Sequence, residues 1–313
     1  MRVLVLGGSG FIGRFACEAL VQRGHAVSVL ARPVLGTAGV DRAQNIRVER
    51  LAEAMRGHAA ALDLLGHVGL QAEDPTHLEL ARRRTAAITR AASLAELQRL
   101  GFLSSMSVYG GHPCPHESTA LQPRSAYARG KCLAETLYAE WAGAEPSRSL
   151  LLVRSSVVFG EGGRGNVERL MQQLLRRRFL QVGQGENRKA IAYAGNLAAF
   201  LAFGLERLQG ARCLNYADQP VMRVHELLDE LRALDPRVPR WLPRVPQAPA
   251  LAAAGLIDAA RRWLGQPDSA LRARVAAFCA ETGADTSALQ ATGFVAPIPL
   301  REALRRTLTA LRA

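Results

Sequence analysis

The apolar residues of the chain fall into short runs separated by longer helical patterns. The first run, residues 3–6, shows no polar alternation, which is typical of a central parallel strand covered on both faces. Similar runs occur at residues 26–31, 101–105 and 150–153, and helical patterns lie between them at 12–22, 76–100 and 125–141. This alternation predicts an α/β fold with a doubly wound parallel sheet.

Weaker patterns predict further elements and a division of the chain. Short strands are expected near residues 46–48 and 62–68, and an amphipathic packing helix over 246–263. We expect residues 1–160 to form mainly a dinucleotide-binding domain and 161–313 mainly a smaller substrate-binding α/β region. Residues 187–218 are expected to return to the first sheet.

Composition narrows the class of protein. The chain has 313 residues, 49% of them hydrophobic, which is enough for a full globular core. No apolar run is long enough for a membrane span, and the start MRVLVLGG lacks a signal-peptide pattern. Five scattered cysteines without a CxxC pair fit a reducing compartment. We therefore expect a cytoplasmic protein with no membrane partner.

The net charge of +13 raises the question of nucleic-acid binding. All but two of the 40 basic residues are arginines, and these are dispersed rather than interleaved with aromatic residues. We expect no nucleic-acid partner, although a positive field would attract a phosphorylated substrate. Trp263 and nearby arginines in the 246–263 helix leave a membrane-surface role as an open alternative.

The most informative motif is GGSGFIG, which joins the first strand to the first helix. Gly7 permits a tight turn, Gly10 a close approach of backbone to phosphate, and Gly13 a close crossing of helix and strand. The helix then directs its N-terminus at the anion. The sequence therefore predicts a Rossmann-type dinucleotide site, whose candidate contacts are Gly7, Gly10, Phe11, Ile12 and Gly13.

The end of the second strand indicates which dinucleotide is bound. NAD sites usually place an acid there for the ribose hydroxyls, whereas NADP sites lack the acid and offer an arginine to the 2′-phosphate. This strand ends in Ala31 and Arg32. We therefore favour NADP over NAD, with Arg32 as the candidate phosphate contact.

Candidate catalytic residues lie at the end of the strand predicted over residues 101–105 and in the helix that follows it. Tyr127 and Lys131 are four residues apart and so share one helix face. A phenol is a weak base at neutral pH, but a neighbouring ammonium is expected to lower its pKa. Tyr127 would then exchange the proton of a substrate oxygen during hydride transfer, with Ser105 hydrogen-bonding the same oxygen and Lys131 reaching a ribose hydroxyl.

A metal site is the alternative use for the loop after this strand. His112, Cys114 and His116 are metal-ligand types, but the intervening prolines keep them from sharing a helix face and no fourth ligand lies nearby. We expect no metal.

These motifs resemble the extended short-chain dehydrogenases/reductases of the NAD(P)-dependent epimerase/dehydratase family. The resemblance rests on GGSGFIG at the start, SSMSVYG at 104–110, YARGK at 127–131, LLVRSSVVFG at 151–160, NRKAIAYAGNLAAF at 187–200, CLNYADQPVMRVHELL at 213–228 and TGFVAPIPLREALRRTL at 292–308. It implies catalysis by Ser105, Tyr127 and Lys131. It also implies a nucleotide-sugar substrate bound by Ser105, Ser107, Arg188 and Lys189, and a homodimer paired through the helices at 76–100 and 125–141.

The resemblance leaves several activities open. The absence of an acid at Ala31 favours a 4-ketosugar reductase that uses exchangeable cofactor. The alternative is a UDP-sugar 4-epimerase with tightly bound NAD. Further alternatives are a reductase of a non-sugar ketone and a non-catalytic NADP-sensing protein.

Overall fold

The computed structural model describes residues 1–30, 47–66, 74, 76–266 and 270–312. Its strands are β1 Arg2–Leu6, β2 Ala26–Val29, β3 Ala60–Asp63, β4 Arg99–Ser105, β5 Ser149–Ser155, β6 Val157–Phe159, β7 Gln181–Val182, β8 Arg188–Lys189, β9 Ile191–Tyr193, β10 Ala211–Tyr216, β11 Met222–Arg223 and β12 Arg244–Val245. Within these ranges the main sheet has six parallel strands in the order β10-β5-β4-β3-β1-β2.

Helices cover both faces of this sheet. They are α1 Phe11–Gln22, α2 Val48–Met55, α3 Thr76–Leu94, α4 Ala126–Gly143, α5 Asn166–Leu175, α6 Ala194–Arg207, α7 Val224–Leu234, α8 Gln247–Trp263, α9 Leu271–Cys279, α10 Ser287–Gln290 and α11 Leu300–Ala310. Val3 and Val5 of β1 pack into a core with α1 and α6, whereas Leu4 and Leu6 pack into a core with α2, α3 and α4. Because β1 is buried on both sides, its sequence is apolar throughout.

The predicted fold class is confirmed. The chain passes from β1 to β2 on one side and then returns to β3 on the other side of β1. A crevice opens where strand order reverses in this way, at the carboxyl ends of β1 and β3. The motif glycines and the residues that end β3 and β4 therefore lie at one edge of the sheet.

A smaller core lies outside the main sheet. It contains buried apolar residues of α5, α7 and α11 together with Phe159 of β6 and Ile191 of β9, which belong to a parallel strand pair. From the 187–218 segment, β10 occupies the edge of the main sheet beside β5, and α6 contributes to the core that α1 shares. The chain after residue 160 thus contributes to both parts of the molecule.

The structure corrects three predicted elements. α2 begins at Val48, where the sequence predicted a strand over residues 46–48. The third helix ends at Leu94 rather than at residue 100, because Glu96 takes a positive φ of 55° and the chain enters β4 at Arg99. The strand predicted over 62–68 is β3, Ala60–Asp63, and residues 67–68 lie outside the described chain.

The helix predicted over 246–263 is present as α8, but it does not pack as expected. Among its residues Ala254 and Asp258 are buried, whereas Leu256, Ile257 and Trp263 are exposed. In the described ranges, no helix has both the length and the apolar character needed to cross a bilayer.

Candidate active site

The glycine motif forms a tight cradle between β1 and α1. Gly7 has a φ of +86°, a conformation that favours glycine, and its carbonyl accepts a hydrogen bond from the Gly10 amide at 2.9 Å. A Cβ on Gly13 would clash with the Gly7 carbonyl oxygen and lie 2.7 Å from Cα of Gly8. The predicted turn at Gly7 and the predicted close crossing at Gly13 are therefore both present.

This cradle fits a dinucleotide. α1 begins at Phe11, its N-cap Gly10 has no side-chain cap, and its first turn contains no acidic residue. The amides at this helix end are therefore available to a pyrophosphate, whose charge the helix dipole favours. Phe11 and Ile12 belong to this first turn. Arg32 and Ala31, on which the preference for NADP rests, lie outside the described residues.

Ser105 and Tyr127 meet at the carboxyl end of β4. Ser105 ends β4 and accepts a hydrogen bond from the Ser107 amide at 3.2 Å, which fixes the short 3₁₀ turn Met106–Tyr109. Tyr127 lies in the first turn of α4, whose N-cap is Ser125: the Ser125 hydroxyl accepts from the Ala128 amide at 3.1 Å. The Ser105 side chain acts on Tyr127 in the direction that lowers the pKa of its phenol, so the structure brings these two predicted residues together.

Lys131 lies one turn further along α4 and is buried. Its Nζ donates to the main-chain oxygen of Leu103 at 2.7 Å and lies 5.9 Å from the centre of the Tyr127 ring. Burial lowers the pKa of Lys131 to about 8, and the charge of Arg84 acts in the same direction. Three side chains suited to proton exchange and charge stabilisation thus lie near one another at the carboxyl end of β4.

The predicted lowering of the Tyr127 pKa is wrong for this structure. Burial raises the pKa of Tyr127, and this effect outweighs the opposing influences of Ser105 and of the positive charge of Arg84. Lys131 faces the ring of Tyr127 and donates its hydrogen bond to Leu103, so its charge does not compensate for burial. Arg84 was not predicted. Its guanidinium donates to the Leu65 carbonyl at 3.2 Å, near the end of β3.

A buried polar network joins α4 to the strands of the main sheet. This network was not predicted from the sequence. Arg154 of β5 donates to both carboxylate oxygens of Glu135 on α4, with 2.7 Å between Nη2 and Oε2. Ser104 donates to the same carboxylate. Arg154 also donates to the Tyr109 hydroxyl at 2.8 Å, and that hydroxyl donates to Asn215 at 2.7 Å.

This network fixes α4 relative to β4, β5 and β10, and thereby the helix that carries Tyr127 and Lys131. The Tyr109 hydroxyl is fully used in the network, and burial raises the pKa of Tyr109 to about 12. Tyr109 therefore has a structural part, in contrast to Tyr127. A weak signal for this network was visible in the sequence, because three largely apolar strands each contain a polar residue next to their last position. These residues are Ser104 in β4, Arg154 in β5 and Asn215 in β10.

Asp63 adds a second unpredicted link to α4. Its carboxylate ends β3, accepts from the Leu65 amide at 2.9 Å and accepts from the Tyr138 hydroxyl at 2.8 Å. Both Asp63 and Tyr138 are fully buried. The sequence signal was an acid that closes an apolar strand, Ala60–Asp63.

The predicted substrate contacts occupy different environments. The Ser107 hydroxyl is buried and has no hydrogen-bond partner within the described chain. Lys189 donates to the carbonyls of Ala277 and Ala280 at 2.9 and 2.6 Å, so its ammonium caps the end of α9. Arg188 is exposed on the neighbouring strand position.

Met106 packs against Ala190 and Ala217, which places the Ser105–Ser107 turn beside this strand region.

The histidines and cysteine of the 112–116 loop stabilise local turns. His112 Nδ1 accepts from the Cys114 amide at 3.3 Å, and His116 Nδ1 accepts from the Ser118 amide at 3.2 Å. Over the residues that the structure describes, no three His, Cys, Asp or Glu side chains form a group able to hold a metal ion.

A Rossmann-type sheet with a glycine cradle and a Ser–Tyr–Lys set defines an NAD(P)-dependent enzyme of the extended short-chain dehydrogenase/reductase class. The family model for the NAD dependent epimerase/dehydratase family matches residues 3–215. The chain belongs to this family.

Relatives of known activity include both epimerases and reductases. The chain is 29% identical over 313 residues to N-acetyl-alpha-D-glucosaminyl-diphospho-ditrans,octacis-undecaprenol 4-epimerase of Escherichia coli O157:H7, covering 98% of this chain and 94% of the relative. It is 29% identical over 257 residues to a 2-alkyl-3-oxoalkanoate reductase of Stenotrophomonas maltophilia, covering 74% and 75% of the two chains.

Solved structures share the fold at lower identity. The UDP-N-acetylglucosamine 4-epimerase from Bacillus cereus has a TM-score of 0.76 at 14% identity, with all of both chains covered. The Thermus thermophilus UDP-glucose 4-epimerase, solved in complex with NAD, has a TM-score of 0.70 at 18% identity, covering 100% of this chain and 99% of that one.

Proposed function

We propose that the protein transfers hydride at C4 of a sugar that is linked through a diphosphate, and that it acts as a 4-epimerase. The observation that carries this proposal is the meeting of Ser105, Tyr127 and Lys131 at the sheet edge that also holds the glycine cradle. The full-length similarity to a 4-epimerase supports the choice of reaction. A nicotinamide dinucleotide, when bound in the cradle, supplies the hydride acceptor and donor.

Each residue of the chain then has a defined part. Tyr127 takes the proton of the C4 hydroxyl as the carbonyl forms and returns it when the carbonyl is reduced. Because burial raises the pKa of Tyr127, the first of these steps proceeds through the fraction of molecules that hold the phenolate. Ser105 hydrogen-bonds the same oxygen and orients it toward Tyr127. Lys131 supplies positive charge beside the phenol, and Ser107, Arg188 and Lys189 are the proposed substrate contacts. In this proposal residues 1–160 bind mainly cofactor and 161–313 mainly substrate.

A second candidate is a reductase of a 4-ketosugar that uses exchangeable NADPH. Arg32 and the missing acid at Ala31 favour it, since this pair is typical of sites that accept a 2′-phosphate. The reductases among the relatives also favour it. Under this alternative the cofactor is NADP, whereas the epimerase proposal requires bound NAD.

The group beyond the diphosphate also has two candidates. Structural neighbours were solved with UDP-sugars, which supports a nucleotide diphosphate. The relative that matches nearly the whole chain acts on a sugar carried by undecaprenyl diphosphate, which supports a lipid diphosphate. Both present the same sugar-diphosphate group to the site.

The test uses purified protein whose bound nucleotide is first released by denaturation and identified by mass. The protein is then incubated with UDP-glucose, UDP-N-acetylglucosamine and undecaprenyl-diphosphate N-acetylglucosamine, and products are resolved by NMR. An epimerase gives a C4 epimer mixture in D₂O without deuterium at C4 and without net cofactor reduction. A reductase instead oxidises NADPH stoichiometrically with a 4-ketosugar. Failure of every substrate in both assays would overturn the proposal.

The proposed assembly is a cytoplasmic homodimer paired through α3 and α4. These helices pack side by side, and α3 leaves Leu78 and Leu94 exposed. Light scattering at micromolar concentration measures the mass, and a monomeric mass would contradict the dimer.

A further inference from the structure

α8 exposes most of its large apolar side chains instead of burying them. Its buried positions are Ala254 and Asp258, which lie four residues apart on one face. Leu256 is 72% exposed, Trp263 is 86% exposed and the following Leu264 is 61% exposed. A helix with a carboxylate inward and large apolar residues outward is unusual for a surface helix of a globular domain.

The exposed apolar residues form a continuous stripe. At about 100° per residue, Leu256, Ala260 and Trp263 fall on one line, opposite Ala254 and Asp258. Ala253 and Leu264 extend this line on one side, and we call these five residues the apolar stripe. Arg261 and Arg262 are about 100° apart around the helix, and each lies between the apolar stripe and the buried face, closer to the buried face.

The surroundings of the apolar stripe are strongly basic. Four arginines of α8 and α9 are exposed, namely Arg261, Arg262, Arg272 and Arg274. Asp258 is turned inward, where its carboxylate accepts from the amides of Leu271 and Arg272 at 3.0 and 2.9 Å at the start of α9. The negative charge of Asp258 is therefore stabilised by the free amides at the N-terminal end of α9. The exposed arginines of the two helices keep their charge, since none of the ion pairs within the described chain involves them.

The α8–α9 hairpin is firmly attached to the rest of the molecule. At the end of α9, Asn187 donates to the Phe278 carbonyl at 2.8 Å, and Lys189 donates to the Ala277 and Ala280 carbonyls. The hairpin therefore rests on β8, the strand that carries the candidate substrate contacts Arg188 and Lys189. A surface that binds the hairpin would also hold the substrate region close to itself.

We propose that the α8–α9 hairpin docks on the surface of an anionic lipid bilayer. Leu256, Trp263 and Leu264 would enter the boundary between headgroups and acyl chains, and Arg261 and Arg262 would contact lipid phosphates on either side. A helix with an apolar face, a tryptophan and flanking arginines has the features of an in-plane interfacial helix. The proposal replaces the expectation from the sequence that no membrane takes part.

A second copy of the chain fits this surface less well. In a two-fold contact the same patch meets itself, so the Arg261 and Arg262 flanks of the two copies would face one another. Like charges brought together in this way oppose association. An anionic bilayer complements both the apolar stripe and its basic flanks.

Trp263 itself reports docking. Of the three tryptophans in the chain, Trp141 is buried, and Trp241→Phe leaves Trp263 as the exposed emitter. With phosphatidylcholine vesicles that contain phosphatidylglycerol, we expect the Trp263 emission to shift to the blue and to be quenched by brominated acyl chains. The shift should weaken when salt is raised, because screening reduces the attraction of the arginines.

Vesicle flotation with the full chain and matched variants completes the test. Trp263→Ser/Leu264→Ser should reduce the partition constant by about tenfold or more, and Arg261→Ser/Arg262→Ser should remove the preference for anionic vesicles. The control for the apolar change is Val295→Ser, since Val295 is 82% exposed elsewhere on the molecule. The control for the charge change is Arg301→Ser/Arg305→Ser on α11. Both controls should float like the unchanged protein, and circular dichroism verifies folding of every variant.

The proposal is overturned if Trp263 emission does not respond to anionic vesicles, or if the α8 variants float as well as the controls. A lipid-insensitive Trp263 together with a mass that rises with protein concentration would assign the apolar stripe to self-association instead. Flotation does not depend on turnover, so its outcome is separate from that of the epimerase assay.

Discussion

The carboxylate of Glu135 and the guanidinium of Arg154 form a buried pair that joins α4 to β5, with Arg154 Nη2 2.7 Å from Glu135 Oε2. Charged groups in such a position depend on each other, because removing one leaves the other buried and unpaired. The pair thereby fixes the helix that presents Tyr127 and Lys131.

Glu135→Gln should therefore reduce the free energy of unfolding by about 3–5 kcal/mol, measured by urea denaturation. The double variant Glu135→Leu/Arg154→Met removes both charges and should lose less than the single variant. An equal or larger loss in the double variant would show that the ion pair itself, rather than the orphaned charge, is what stabilises the fold.

Tyr127 and Tyr109 are expected to respond differently to loss of the hydroxyl. Tyr127→Phe should leave cofactor affinity nearly intact and lower turnover by about 10² or more, because the proton-exchanging group is lost. Tyr109→Phe removes a hydroxyl that bonds Arg154 and Asn215, so it should lower the free energy of unfolding by about 1–3 kcal/mol.

Turnover per folded molecule and urea denaturation, measured on both variants, separate the two roles. Full activity in Tyr127→Phe would exclude Tyr127 as the proton-exchanging residue. A catalytic loss in Tyr109→Phe as large as that in Tyr127→Phe would contradict its structural assignment.

Gly13→Ala tests the cradle. The new Cβ would lie 2.7 Å from Cα of Gly8 and would clash with the Gly7 carbonyl, so α1 must move away from β1. We expect a loss of about 1–3 kcal/mol in stability from overpacking and a much weaker affinity in a cofactor titration. The control is Gly143→Ala in α4, where a Cβ meets nothing within 4 Å and stability should rise slightly. Equal cofactor affinity in the two variants would contradict the role of the cradle.

Sequence reasoning placed the local backbone geometry of two motifs correctly. The Gly7–Gly13 motif and the Tyr127–Lys131 spacing each lie within one turn or one helix face, so neighbouring residues carry the information. It failed where partners are distant, since nothing near Glu135 indicates that Arg154 and Ser104 will reach it. The α3 boundary was missed because the apolar pattern continues through Leu97, which the structure places beyond the end of the helix.

The orientation of α8 shows a second limit of prediction from sequence. Periodicity shows that an apolar stripe exists, but not on which side the rest of the protein lies. That side is decided by Asp258, whose contact with the start of α9 turns it inward and leaves Leu256 and Trp263 outside.

Asp218 makes stability depend on pH. Its buried carboxylate accepts from the Tyr193 amide at 2.6 Å and from Asn196 at 3.1 Å, yet burial dominates and raises the pKa of Asp218 to about 6. Between the unfolded pKa near 4 and the folded value, the folded state binds the extra proton. The contribution of Asp218 to stability is therefore full below about pH 4 and is lost as pH rises through about 6.

Asp218→Asn removes this titration. The difference in unfolding free energy between the unchanged protein and Asp218→Asn should fall by on the order of 3 kcal/mol from pH 4 to pH 7. The control is Asp285→Asn, because the hydrogen bond from the Ser287 amide lowers the pKa of Asp285. The contribution of Asp285 is present above its unfolded pKa near 4 and is lost only as pH falls below that value, so the corresponding difference should stay nearly constant from pH 4 to pH 7. Urea denaturation at both pH values measures the two slopes, and a difference for Asp218 that stays constant or rises with pH would contradict the assignment.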